Sequence, residues 1–206
     1  MTEFKILIVE DEPIIAENIA VYLNNADFKV SDIAYDDEDA KVALRKNTPD
    51  AVILDINLDS DMDGIQIADF INKHCPMPFL FLTSYADRET LERAKKVEPW
   101  GYIVKPFNEK TLQASLEMAI SNFANRSNQH HPQLNLEKIN KSLLTPLSER
   151  EFDVLQLIYE GKTNQQIADA IFVSVNTIKK HINNSYLKID AASRATAITR
   201  LRKLMH

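Results

Sequence analysis

Phe4-Lys5-Ile6-Leu7-Ile8-Val9-Glu10-Asp11-Glu12-Pro13 is the stretch on which the fold turns. Phe4 to Val9 is almost unbroken in apolar side chains and rich in β-branched ones, as expected of a parallel strand covered on both faces. The acidic run Glu10-Asp11-Glu12 ends it, and Pro13 suits the first turn of a helix in which Ile15, Ile19, Tyr22 and Leu23 recur at helical spacing. Working outward, the same alternation repeats. Strands are expected near 30–34, 51–55, 79–83 and 102–104, each followed by a helix, over 37–46, 65–74, 87–95 and 109–123. Strand and helix alternating in this way imply right-handed crossovers and an open, doubly wound five-stranded parallel sheet. In such α/β sheets ligands bind outside the carboxyl ends of the strands.

The chain has 206 residues, 45% of them hydrophobic and 26% charged, which gives a soluble globular protein long enough to bury one sizeable core or two modest ones, with its length leaning towards two domains. Its longest apolar runs, such as Met77 to Leu82, fall far short of the roughly 20 residues of a membrane helix. The N-terminus enters a strand without the features of a secretory signal, so a cytoplasmic protein without membrane contact is expected. A lone Cys75 permits no internal disulfide. Charge is divided unevenly. Up to Asn125 there are 12 basic against 23 acidic residues, a net −11; from Arg126 there are 12 against 7, a net +5. The overall −6 therefore conceals a basic module behind an acidic one, which keeps nucleic acid open as a partner.

Between them, 124–144 reads as a linker, polar and without apolar periodicity through Asn125 to Gln133. His130-His131 lies inside it, and with no carboxylate or thiol nearby is expected to be solvated rather than metal-bound. From Pro146 the pattern is wholly helical, with helices expected over 149–160, 164–171, 175–189 and 194–205. Ser148 and Ser193 stand as N-caps and Gly161 as the residue closing the first of these helices.

In the alternating half, Glu10-Asp11 at the end of the first strand and Asp55 at the end of the third converge on one edge. Clustered carboxylates repel unless a cation neutralises them, and an all-oxygen set suits a hard divalent ion such as Mg²⁺. Lys105, at the end of the fifth strand, adds an ammonium, and Thr83, at the end of the fourth, a hydroxyl. Taken singly these are ordinary strand-end residues; together they form a site for a phosphoryl group, with Asp55 as nucleophile. At this point the first half resembles the receiver domain of bacterial two-component response regulators, a flavodoxin-like fold. The likeness rests on Glu10-Asp11, Ile53-Leu54-Asp55-Ile56-Asn57-Leu58, Leu82-Thr83-Ser84-Tyr85 and Tyr102-Ile103-Val104-Lys105-Pro106-Phe107, spanning roughly residues 4–121. It implies that Asp11, Asp55 and the Asn57 carbonyl hold Mg²⁺, with Glu10 acting mostly through water. It implies further that Asp55 takes a phosphoryl group from a sensor histidine kinase, that Thr83 and Lys105 bind its oxygens, and that Tyr102 is the switch aromatic. About two units of new negative charge would then bias a bistable face.

Leu58-Asp59-Ser60-Asp61-Met62-Asp63-Gly64 departs from the family pattern by one additional residue, so kinase pairing is expected to differ. The loop also imitates the start of a calcium-binding EF-hand, but its twelfth position is Phe70, where a bidentate Glu is required, and no calcium site is expected.

The second half resembles the LuxR-type helix-turn-helix DNA-binding domain. The resemblance spans roughly 145–205 and rests on Leu147-Ser148-Glu149-Arg150-Glu151, Gly161-Lys162-Thr163-Asn164-Gln165-Gln166-Ile167-Ala168 and Val173-Ser174-Val175-Asn176-Thr177-Ile178-Lys179-Lys180-His181. It implies a smaller all-α domain whose helix from Val175 enters the major groove of double-stranded DNA. By position Lys179, Lys180 and Asn183 face bases and the groove, while Thr163, Asn164, Thr177 and Lys188 are phosphate candidates. Gln166 stands where an acid is common, and Ser185 where a core Ile is usual, with Tyr186 or Leu187 expected to compensate. His181 is expected to pack between helices. Residues 162–206 carry eight basic and two acidic side chains. Arg194, Arg200, Arg202 and Lys203 lie on the last helix, the surface this family uses to dimerise, and a two-fold dimer implies paired half-sites.

The expected function is a phosphorylation-gated transcription regulator, in which the acidic domain senses and the basic one binds DNA as a homodimer. It is expected not to be an enzyme. A Mg²⁺-dependent phosphohydrolase is the rival from another class and needs a second acid where Asn57 stands. A receiver whose helical tail binds RNA or protein is the other.

Overall fold

A computed structural model describes residues 3–25, 28–46, 48–84, 88–128 and 133–205. Tyr85, Asp87 and His130-His131 lie outside them. The chain divides into two compact units, one from Lys5 to Ile120 and the other comprising Met1–Phe4 and Ser121–His206.

The first unit alternates β1 (Phe4–Val9), α1 (Pro13–Asn25), β2 (Phe28–Ala34), α2 (Asp37–Lys46), β3 (Ala51–Asp55), α3 (Gly64–His74), β4 (Phe79–Thr83), α4 (Arg88–Lys96), β5 (Tyr102–Val104) and α5 (Glu109–Asn128). The strands form one sheet in the order β2-β1-β3-β4-β5. β1, β3, β4 and β5 pair in parallel, with Val9 beside Leu54, Asp55 beside Leu82 and Thr83 beside Val104. Strand order reverses between β1 and β3, and in an open α/β sheet that reversal opens a crevice at the carboxyl ends. Because side chains alternate along a strand, Leu7, Val9, Val52, Leu54, Phe79 and Phe81 share a core with Ala40, Ala43 and Leu44 of α2 and Ile65, Ile67, Ala68 and Ile71 of α3. The intervening Ile6, Ile8, Ile53, Leu80 and Leu82 are equally buried. Their face is left to α1 and α5, which are joined where Gln113 Nε2 donates to the Tyr22 carbonyl at 3.3 Å. Burial on both faces explains why β1, β3 and β4 are almost wholly apolar, with Asp55 and Thr83 only at their carboxyl ends.

The second unit contains α6 (Leu136–Lys141), α7 (Glu149–Tyr159), α8 (Asn164–Ala170), α9 (Val175–Ile189) and α10 (Arg194–Leu204). Ser148 and Ser193 cap α7 and α10, and Gly161 takes φ 82° just past α7, as their types dictate. Ile139, Val154, Leu155, Ile158, Ile167, Ile178, Ile182, Ile189, Ala197 and Leu201 form its core.

The linker reading of 124–144 differs from what is found. α5 continues to Asn128, and α6 forms inside the segment, capped by Asn135, whose side chain accepts from the Lys138 N–H at 2.8 Å. Ile139 is fully buried in the helical core, and Lys138 Nζ donates to the Met205 carbonyl at the end of α10. A helix of six residues is too short to show a period, and its stability comes from docking.

Candidate functional site

The backbone brings four strand ends to one mouth. Glu10 and Asp11 follow β1, Asp55 ends β3, Thr83 ends β4 and Lys105 follows β5. The Lys105 N–H donates to the Thr83 carbonyl at 2.8 Å, carrying β5's pairing one residue further and setting the Lys105 side chain beside the acids. Carboxylate oxygens of Glu10, Asp11 and Asp55 all lie within 4.8 Å of one another. Lys105 Nζ is 2.7 Å from Glu10 Oε2 and hydrogen-bonds Asp55 Oδ2. Backbone N–H groups of the loop after β3 complete the frame: Asn57 N donates to Asp55 Oδ1 at 2.9 Å and Asp59 N to Asp11 Oδ2 at 3.3 Å.

Three carboxylates face one ammonium, so the mouth is left with a negative surplus. Its electrostatic cost is visible on Glu10, which is 0% exposed. Burial pushes the Glu10 carboxyl up to about 7; the neighbouring Lys105 ammonium opposes that shift and the Asp55 charge adds to it. Burial also works against the charge on Lys105, but its bonds to Asp55 and Glu10 outweigh this and its pKa is raised. The Thr83 hydroxyl is buried without a hydrogen-bond partner among the described residues. An unmade hydrogen bond at a buried hydroxyl costs about 1–3 kcal/mol, a cost removed when an acceptor arrives. The donor set therefore fits both a hard cation and a tetrahedral oxyanion.

Tyr102 is partly exposed at the edge of the sheet, its ring centroid 5.9 Å from that of Phe81, and burial pushes its phenol pKa up. The Asn57 side chain is exposed at the mouth and carries no acid. The EF-hand imitation is dissolved by local structure. Asp63 is the N-cap of α3, in a reciprocal capping box with Gln66, and its second oxygen pairs with Arg93 of α4.

In the helical unit, α8, the turn 171–174 and α9 form a helix-turn-helix. Asn176, Lys180, Asn183, Asn184 and Leu187 are exposed along α9 at spacings of three and four, a single outward stripe opposite the buried Ile178, Ile182, Ser185 and Ile189. Lys179 and Thr177 flank it, half-buried, and the Thr177 hydroxyl lies 2.9 Å from that of Ser174, the N-cap of α9. Asn176 and Asn184 lie outside the contacts expected from sequence, though the same spacing from Lys180 points to them.

Several of the residues expected at DNA are engaged within the helical unit itself. Thr163 is 2% exposed because its hydroxyl caps α8, accepting from Gln166 N at 3.3 Å, while Gln166 Oε1 accepts from Thr163 N at 3.0 Å. Gln166 thus does the acid's work in a capping box. Asn164 is buried as well. Lys188 turns inward, 2.7 Å from Glu151 Oε2 and 3.0 Å from the Pro146 carbonyl. On α10, Arg194 is buried and donates to the carbonyls of Ile158 and Lys162; Arg200 Nε donates to the Ile189 carbonyl at 3.2 Å; and the Arg202 guanidinium lies 5.8 Å from the Tyr159 ring centroid. Much of the basic excess is spent inside the unit. Ser185 is accommodated because its hydroxyl donates to the His181 carbonyl at 2.7 Å, while Tyr186 enters the core and Leu187 stays outside it. His181 is half-buried.

Fold and sites together define a receiver-type α/β domain joined to a helix-turn-helix domain. Sequence families agree: residues 6–117 match the response regulator receiver domain and residues 145–201 the luxR family of bacterial regulatory proteins. Response regulator protein VraR of Staphylococcus aureus is 27% identical over 201 residues, 94% of each chain. Among solved structures, the signal receiver domain of a modulated diguanylate cyclase from Desulfovibrio desulfuricans is 34% identical, with TM-score 0.57, covering 59% of this chain and 97% of that one. RcsB of Salmonella enterica serovar Typhimurium, solved bound to promoter rprA in the presence of a phosphomimetic beryllofluoride, shares the fold over 96% of this chain and 98% of its own, at 21% identity and TM-score 0.51. The chain belongs to the response regulator family and carries a receiver domain and a LuxR-type DNA-binding domain. That family is one of transcriptional regulators rather than an enzyme class, and no described helix is long and apolar enough to cross a membrane.

Proposed function

We propose that Asp55 accepts a phosphoryl group from a sensor histidine kinase and that the resulting anion controls homodimerisation and sequence-specific binding of double-stranded DNA. The observation that carries this reading is the Thr83 hydroxyl, which among the described residues is buried and unpartnered at the rim of a site whose acids crowd around Lys105. An Asp55 oxygen attacks phosphorus, the P–N bond of the kinase's phosphohistidine breaks, and its electron pair returns to the imidazole, which takes up a proton. The product is an acyl phosphate. Lys105 follows the transferred oxygens, releasing Asp55 Oδ2 for attack, and the Thr83 hydroxyl donates to one of them. Asp11, Asp55 and the Asn57 carbonyl would hold Mg²⁺, with Glu10 through water; when bound, the ion neutralises charge developing on the phosphoryl oxygens. With Thr83 drawn towards the phosphate, Tyr102 follows into the space it leaves, and the face made by α4, β5 and α5 changes.

The exposed stripe of α9 carries the DNA contacts, with Lys180, Asn183, Asn176 and Asn184 towards base edges and Lys179 and Thr177 towards the groove walls. Such a protein works in the cytoplasm. Asn57 leaves the mouth without the second acid that a phosphohydrolase needs. The test is intact-mass spectrometry with acetyl phosphate and Mg²⁺, followed by selection from random duplexes with and without beryllofluoride. A single phosphoryl adduct on Asp55, and duplex enrichment strengthened by beryllofluoride, are expected. An unmodified Asp55, or preference for an RNA hairpin over every duplex, refutes the respective half of the reading.

A further inference from the structure

We propose that Gly64 is a positioning residue for the phosphoacceptor: the first turn of α3 abuts the Asp55 peptide so closely that only a residue without a side chain leaves the Asp55 carboxylate where Lys105 and the other acids meet it. The inference rests on Asp55 being the phosphoacceptor.

The loop that leaves Asp55 returns at once to the same place. Its neck is closed by the Gly64 N–H, which donates to the Ile56 carbonyl at 3.1 Å. A Cβ on Gly64 would overlap the Asp55 carbonyl oxygen outright and would lie 2.8 Å from the Asp55 carbonyl carbon and 3.1 Å from the Ile56 Cα. All three atoms are backbone, so no rotamer change relieves the contact. Both sides of the junction are also held. On one side, Ile56 N donates to the Leu82 carbonyl at 3.1 Å, continuing the β3–β4 ladder. On the other, α3 is fixed by the Asp63–Gln66 capping box, the Asp63–Arg93 pair and the buried Ile65, Ile67, Ala68 and Ile71. The compliant part is the span between them, which carries the N–H groups that hold Asp55 Oδ1 and Asp11 Oδ2. Restoring a van der Waals separation of roughly 3.5 Å moves Asp55 or that span by on the order of 1 Å. A shift of about that size at a reacting group is worth roughly 100-fold in rate.

Gly101 supplies an internal control. A Cβ there would come 2.6 Å from Leu80 Cδ2, the end of a flexible side chain in the same sheet and away from the acids. The experiment compares the full wild-type chain with Gly64→Ala and Gly101→Ala. It measures single-turnover phosphorylation by acetyl phosphate at saturating Mg²⁺, Mg²⁺ affinity by calorimetry, and thermal unfolding. Gly64→Ala is expected to lose roughly 100-fold in the rate at saturating donor, with the donor's KM little changed, and roughly tenfold in Mg²⁺ affinity, while still unfolding cooperatively. Gly101→Ala is expected to stay within about threefold of wild type in both. The proposal is overturned if Gly64→Ala matches Gly101→Ala in rate and metal affinity. It is equally overturned if Gly64→Ala does not fold, since the glycine then serves the core and not the site. Failure of wild type and Gly101→Ala alike to be phosphorylated would instead count against Asp55 as acceptor.

Discussion

Glu10 and Glu151 are both buried glutamates 2.7 Å from a lysine, and the two are titrated in opposite directions. Around Glu151 three donors meet on one carboxylate oxygen, Oε2. Ser148 N donates to it at 2.7 Å, the Ser148 hydroxyl at 3.0 Å and Lys188 at 2.7 Å, and together these overcome its burial and lower its pKa. Around Glu10 the lysine is shared with Asp55, a third acid stands close by and, among the described residues, the Thr83 hydroxyl meets no acceptor; burial prevails. A buried ion pair that several donors complete is costly to break by removing one partner; one left short of positive charge marks a candidate ligand site.

The hardest test of that contrast is Asp55→Ala, which should abolish the phosphoryl adduct altogether and with it any donor-dependent gain in DNA binding. An adduct of unchanged yield in that variant would move the chemistry to another residue. Next comes Lys188→Met, which strands Glu151 without its cation. A loss of about 2–3 kcal/mol from the helical unit is expected, read as a lower denaturation midpoint, with phosphorylation untouched. A midpoint equal to wild type would mean that Glu151 is satisfied by Ser148 alone.

Glu10→Gln should act in the reverse sense. A folded pKa of about 7 against an ordinary 4.5 means that the metal-free folded receiver binds the extra proton, so this group's contribution is full below about pH 4.5 and lost as pH rises through 7. The substitution should therefore raise the melting temperature of the metal-free receiver at pH 8, an effect on the order of 2 kcal/mol, and flatten its pH dependence between 5 and 8. Glu151 works the other way. Its lowered pKa gives stability that is present above its ordinary value and lost as pH falls through the folded one, so acid should loosen the helical unit through the very group type that favours the receiver. Parallel melting of both units as pH is lowered from 8 to well below the ordinary glutamate value would contradict the comparison. The smallest effect expected is on DNA: Lys180→Ala should weaken duplex binding about tenfold, while Lys188→Met should leave the salt slope of binding unchanged.

Much of this was legible in the sequence because strand and helix periods differ and each strand is short, apolar and punctuated. β1, β3 and β4 could hardly be read otherwise, and the residues ending them converge once strands are known to be parallel. Three things were not legible. α6 is stabilised by what Ile139 and Lys138 touch in distant helices, which no local period reveals. The inward turn of Lys188, Arg194 and Arg202 cannot be told from composition, because a cation on a helix looks the same whether it meets water or a carbonyl. Gly64 read only as one position of an ion-binding loop, since a close approach between backbones separated by a loop leaves no mark on the residue types between them.

The mouth draws one residue or two from each of four strand ends, at Glu10-Asp11, Asp55, Thr83 and Lys105. No contiguous fragment shorter than that span holds the whole set. A chain emerging from the ribosome therefore carries scattered acids until its fifth strand is made and docked, and a receiver cut before that strand lacks the Lys105 ammonium that meets them.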